Sequence, residues 1–237
     1  MNDIKLTWLG HATTLIEGPN GETLLIDPWL SGNPSCPEAW HNIDRFAGLD
    51  VLLLSHGHFD HTGDAVDIAR AHKPTVVAIF ELCHWMEQQG VDTVSGMNKG
   101  GTQHVAGVDI TLTTAHHSSA VIDADGNLIY TGDPCGFVLR FGNGRTIYLA
   151  GDTALFGDMA LIRELYQPDV AVLPIGDHFT MGPREAAKAV ELIGAKTILP
   201  VHYGTFPLLT GTPEALRKLI PGNVTVLEPQ PGETVSA

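Results

Sequence analysis

Apolar positions recur along the chain in two spacings, and the switch between them marks out the elements. Residues 4–9, 13–17 and 23–26 are short, β-rich runs separated by Gly10 and the turn Gly18-Pro19-Asn20-Gly21, which predicts an antiparallel meander. Residues 51–54 are apolar throughout, the pattern of an interior strand covered on both faces. Behind them, residues 63–72 carry Ala65, Val66, Ile68 and Ala69 at helical spacing, and a strand at 75–79 with a helix at 81–89 repeats the alternation. A second run of strands is predicted at 108–114, 128–131, 137–141 and 146–150. Strands at 170–173, 197–199 and 224–227 then surround helices at 183–193 and 214–220, which Pro183, Gly194 and the pair Thr212-Pro213 delimit. The order implies an α/β fold, a four-layer αββα sandwich of two mixed sheets packed face to face and flanked by helices. It is expected as one domain over residues 1–237, built of two similar halves.

Composition narrows the function. A chain of 237 residues buries roughly 70% of its unfolded surface without disulfide or metal staples, so a bound metal would serve chemistry. Lys and Arg number 13 against 27 Asp and Glu, a net charge of −14. That balance excludes a general binder of nucleic-acid backbone, whose affinity comes from cationic side chains. Cys36, Cys83 and Cys135 show no C-x-x-C spacing, so a disulfide framework or a cysteine zinc site is not indicated and a reducing compartment fits. No basic-then-apolar leader and no membrane-length apolar run is present, and a cytoplasmic protein with no membrane partner is expected.

The segment that carries chemistry is Ser55-His56-Gly57-His58-Phe59-Asp60-His61, an H-x-H-x-D-H cluster directly after the strand at 51–54. Imidazole and carboxylate suit divalent zinc, manganese, iron or nickel. Neighbouring residues on a turn point in different directions, so four such groups within six residues fit two adjacent ions better than one. Further ligands are then expected where strands end. His116-His117 follows residues 108–114, Asp152 follows 146–150, and His202 follows 197–199.

These motifs resemble the metallo-β-lactamase superfamily over essentially the whole chain. The likeness is strongest to small metal-dependent hydrolases related to the ascorbate-6-phosphate lactonases. Its marks are Trp8-Leu9-Gly10-His11-Ala12, Leu25-Ile26-Asp27-Pro28, the H-x-H-x-D-H cluster, Ala115-His116-His117-Ser118-Ser119, Ala150-Gly151-Asp152-Thr153 and Pro200-Val201-His202-Tyr203-Gly204. The resemblance implies that His56, His58 and His117 hold one metal, that Asp60, His61 and His202 hold the other, and that Asp152 bridges. His117 is preferred to His116 because it occupies the A-x-H-S-S place. Two divalent ions are implied, zinc first, with manganese, nickel or iron as alternatives.

Two such cations present a bridging hydroxide as nucleophile, and the expected reaction is hydrolysis of a small anionic ester of phosphodiester or lactone type. Asp60 is expected both to bind metal and to orient the hydroxide, and His178 to stabilise an anion or protonate the leaving group. Asp27 reads as the acceptor that fixes a ligand histidine in one tautomer, and His11 as a neighbour of the ligands or the substrate. Arg140, Arg145 and Arg184 are candidate anion contacts, and Trp29, Trp40 and Phe206 candidate mouth residues. A β-lactam substrate is disfavoured by the bridging Asp152. The alternatives are a persulfide dioxygenase type with one iron and a non-catalytic metal-binding protein. The expected partner is a small-molecule substrate, and homo-oligomers are common in relatives of this kind.

Overall fold

Strands whose successive residues are all apolar must be covered on both faces, and here they are. The computed structural model describes residues 3–237. Its first sheet contains β1 (Lys5–Trp8), β2 (Thr14–Glu17), β3 (Thr23–Ile26), β4 (Val51–Leu53), β5 (Thr75–Ile79) and β6 (Val94–Met97). The helices α1 (Phe59–Thr62) and α2 (Ala65–His72) separate β4 from β5, and α3 (Phe80–Gln88) separates β5 from β6. The second sheet contains β7 (Thr102–Val105), β8 (Val108–Thr114), β11 (Cys135–Phe141), β12 (Thr146–Leu149), β13 (Val170–Pro174), β14 (Thr197–Val201) and β15 (Thr225–Val226). Its helices are α4 (Met159–Tyr166), α5 (Pro183–Ile193) and α6 (Pro213–Arg217). The last strand, β16 (Thr234–Ser236), returns to pair antiparallel with β1.

Both sheets repeat one pattern of pairing. In the order β16-β1-β2-β3-β4-β5-β6 the pairings are antiparallel as far as β3 and parallel beyond it. In the order β7-β8-β11-β12-β13-β14-β15 they are antiparallel as far as β12 and parallel beyond it. Period-two alternation assigns the layers. Ile147, Leu149, Val170, Val172, Leu199 and Val201 face the first sheet, while Tyr148, Ala171, Leu173 and Ile198 pack under α4, α5 and α6. The αββα sandwich is therefore as expected. Helix α5 has the expected limits, with Pro183 in its first turn and a left-handed Gly194 behind it, and Thr212 caps α6 by accepting from Ala215 N.

One strand is placed differently. Residues 128–130 do not join the second sheet, because β11 pairs directly with β8 along its length and leaves no edge for them. They form β10 (Leu128–Tyr130), which pairs only with β9 (Ala120–Ile122) in a separate hairpin. Among the described residues, no helix is long and apolar enough to cross a membrane.

The layering fixes what truncation costs. Leu139, fully buried between the sheets, should lose about 2–5 kcal/mol on Leu139→Ala. Leu128, 74% exposed on the hairpin, should lose less than about 0.5 kcal/mol on the same change. Urea unfolding followed by circular dichroism measures both.

Candidate metal centre

The strand directions bring the polar motifs to one edge. β4, β8, β12 and β14 end there, and the loops that follow carry His56 and His58, His117, Asp152 and His202 respectively. Helix α1 is a single turn begun by His58, whose carbonyl accepts from His61 N and Thr62 N. It points the adjacent Asp60 and His61 different ways: Asp60 lines a cavity, and His61 is fully buried. Gly57 is demanded by crowding, since a Cβ there would collide with Thr131 Oγ1 and approach the backbone of Ala120. Gly151 has φ +62°, and a Cβ would meet Cys135 O at 2.6 Å.

Asp152 sits at the centre. Its Oδ2 lies 3.0 Å from His202 Nε2, 3.3 Å from His61 Nε2, 3.6 Å from His117 Nε2 and 4.0 Å from His56 Nε2. On one side are His56, His58 and His117, with potential ligand atoms within 4.8 Å of one another, and on the other are His11, Asp60, His61 and His202 in an equally close group. The seven residues expected to bind metal thus converge. His117 is the member of its pair that does so; His116 is exposed and its ring stacks on Phe156 at 4.9 Å.

Hydrogen bonds set the ring tautomers. Asp27 Oδ2 accepts from His61 Nδ1 at 2.9 Å and from Ser55 Oγ at 2.6 Å, while Ser55 Oγ accepts from His56 Nδ1 at 2.9 Å. Protons held on both Nδ1 atoms leave both Nε2 lone pairs turned into the cluster. His11, with its proton on Nε2, donates to Asp60 Oδ2 at 2.9 Å and accepts from Thr205 Oγ1 at 3.0 Å. Three of these residues hold left-handed backbones: His11 (φ +52°), Asp27 (φ +50°) and His202 (φ +57°). His11 O accepts from both His202 N and Trp8 Nε1 at 2.9 Å, tying the β1–β2 turn to the end of β14.

The electrostatics follow from burial and pairing. Burial lowers the His11 imidazole to about 4, against its hydrogen bond to Asp60. Burial likewise pushes His56, His58 and His117 down. For His61 burial is outweighed by Asp152 and Asp27, which raise it. Burial alone would raise both carboxylates. For Asp152 the charges of His202 and His61 prevail, and for Asp60 the His11 hydrogen bond, so both stay well below the usual carboxylate range.

This donor set fits divalent metal. The buried Nε2 atoms of His61 and His202 have no hydrogen-bond partner although each lies within 3.3 Å of Asp152 Oδ2. A cation that accepts both lone pairs and the carboxylate satisfies what protein groups leave open.

A family model described as a β-lactamase superfamily domain matches residues 22–203. A UPF0173 metal-dependent hydrolase of Koribacter versatilis is 50% identical over 100% of this chain and 99% of its own. The chain belongs to the UPF0173 metal-dependent hydrolases of the β-lactamase superfamily. A second UPF0173 hydrolase, from Herpetosiphon aurantiacus, is 49% identical over 98% of each chain. The structure of Igni18, a metallo hydrolase of the archaeon Ignicoccus hospitalis, superposes with a TM-score of 0.88 at 34% identity, covering 100% of this chain and 99% of that one.

Other expectations for this UPF0173 hydrolase are corrected by position. His178 stays out of the cluster; its side chain is exposed beside Phe179 and does not line the cavity. None of Arg140, Arg145 and Arg184 lines it either, and Arg145 is paired with Asp169 at 3.2 Å. Phe206 does line the cavity, Trp29 packs edge-on beneath His11, and Trp40 packs on Phe46 away from it. Ser55 and Thr205 were missed by sequence reading. Ser55 stood beside His56 in plain view, whereas nothing local marks Thr205 as a partner of His11.

Asp27 holds His61 directly and His56 through Ser55 without lining the cavity, so its loss should act through both rings. Asp27→Ala is expected to weaken metal affinity about 10- to 100-fold, as read by competition with a chromogenic chelator.

Proposed function

We propose that this hydrolase cleaves a small ester or lactone at a two-metal centre, with zinc the first choice for both ions. His56, His58 and His117 would hold one ion and Asp60, His61 and His202 the other, with Asp152 between them. The observation that supports the reading is the position of Asp152 Oδ2 between two separate groups of ligand atoms. A bound divalent pair supplies Lewis acidity, bringing a water toward ionisation at neutral pH and polarising the ester carbonyl.

The chain's own groups do the rest. His11 keeps Asp60 ionised and oriented at the cavity wall, where the carboxylate accepts a proton from the attacking water. In the balanced reaction the water oxygen bonds to the acyl carbon, the acyl carbon–oxygen bond breaks, and the proton held at Asp60 passes to the leaving alkoxide. The Ser118 hydroxyl, 3.4 Å from His58 Nε2 and lining the same cavity, donates to the leaving oxygen in place of His178. The cavity of about 800 Å³ is the size of a small-molecule site. A cytoplasmic setting agrees with three buried free cysteines.

Metal analysis and an ester and lactone rate panel test the reading. Two ions per chain are expected, with turnover reduced more than about 100-fold by His117→Ala or Asp152→Ala, a loss larger than that of an outer partner. His116→Ala should leave the rate within twofold. One iron per chain, or equal losses from the two histidine variants, would overturn it.

A further inference from the structure

The metal-bearing cavity has a floor and walls of opposite character. His58, Asp60, His117, Asp152 and His202 make up the polar floor. The walls are Phe59, Ile122, Leu128, Phe179, Phe206 and Leu208, drawn from α1, both strands of the β9–β10 hairpin, the loop after β13 and the loop after β14. Five of these side chains are at least half exposed, from 50% for Phe179 to 74% for Leu128. Large apolar groups left in water around a concave site mark a surface shaped for an apolar ligand. No Lys or Arg lines the cavity among the described residues, and a chain of net charge −14 repels anions at long range.

The hairpin supplies one of these walls by its register. Ile122 stands opposite Leu128 and Ala120 opposite Tyr130, and directly opposed residues of an antiparallel pair share a face. Ala120, Ile122 and Leu128 all line the cavity, so this face of the hairpin lies over the metal ligands. A second copy of the chain seated on the rim would seal the ligands from solvent and substrate. The polar floor therefore argues for a small molecule as the occupant.

We infer that the substrate is an uncharged ester or lactone carrying an alkyl chain, with the carbonyl at the metal ligands and the chain against Ile122 and Leu128 of the hairpin. This rests on the two-metal reading above and replaces the anionic substrate with an apolar one. Ile122 and Leu128 set specificity for chain length.

The test uses the metal-loaded full chain and straight-chain alkanohydroxamates from acetyl to decanoyl, which anchor at metal and are not hydrolysed as esters. Titration calorimetry should show dissociation constants falling about threefold per methylene as the chain is buried. Probes of equal length ending in a carboxylate should bind at least tenfold more weakly. Ile122→Ser and Leu128→Ser change exposed positions and should roughly halve the slope of log affinity on chain length. In parallel, the octanoate-to-acetate ratio of kcat/KM for p-nitrophenyl esters should fall about tenfold in either variant. Affinity independent of length, or preference for the carboxylated probes, would overturn the inference. A retained slope with no turnover of any ester or lactone would sink the hydrolytic reading and leave the apolar site standing. Ester turnover with a flat length profile would do the reverse.

Discussion

A single carboxylate, Asp27, imposes order on the whole centre. It closes β3, accepts from Ser55 N at 2.8 Å and so pins the end of the neighbouring strand β4. Its other oxygen governs His61 directly and His56 through Ser55 Oγ. These two rings belong to opposite sides of the centre, so one anion dictates the tautomer on both. The arrangement requires Asp27 to adopt a left-handed backbone, as His11 and His202 do. Each such residue costs of order 1–3 kcal/mol unless its surroundings over-determine it. Hydrogen bonds meet that condition here: Asp27 N donates to Leu53 O and His202 N to His11 O.

Burying this much polarity would be prohibitive for unpaired groups. Asp152 and Asp27 offset the burial of His61, and the unpartnered Nε2 atoms of His61 and His202 lie within 3.3 Å of Asp152 Oδ2. The centre is thus organised before any ligand arrives. The apolar walls outside it have the opposite economy: they contribute little to folding and remain in water.

How far the sequence carried depended on whether an element faced the core. Interior strands such as β5 and β13 announce themselves by unbroken apolar runs, and α5 by its proline start and glycine stop. The metal cluster was legible because its ligands sit beside strand ends within fixed motifs. Choosing His117 over His116 needed a family likeness, since two adjacent histidines are equivalent until the backbone turns one onto Phe156. The strand at 128–130 was grouped with the second sheet, and its partner β9 went unread, because the hairpin they form has no core face for periodicity to report. β16 went unread for another reason: its pairing with β1 spans almost the whole chain, and no local pattern encodes such a contact. His178 was expected to stabilise an anion or protonate the leaving group, yet its loop leaves the side chain exposed. Helix α4 also went unread, although Met159 and Ile162, three apart, are buried against the second sheet.

The candidate ligands come from both sheets: His56, His58, Asp60 and His61 from the loop and helix α1 after β4 of the first, and His117, Asp152 and His202 from loops on the second. A cation held by ligands from both would act as a rivet through the sandwich. Because the unfolded chain cannot assemble those donors, metal that binds only the folded form adds RT ln(1 + [M]/Kd) to stability. A cation held by donors from both sheets would therefore couple resistance to unfolding with retention of metal.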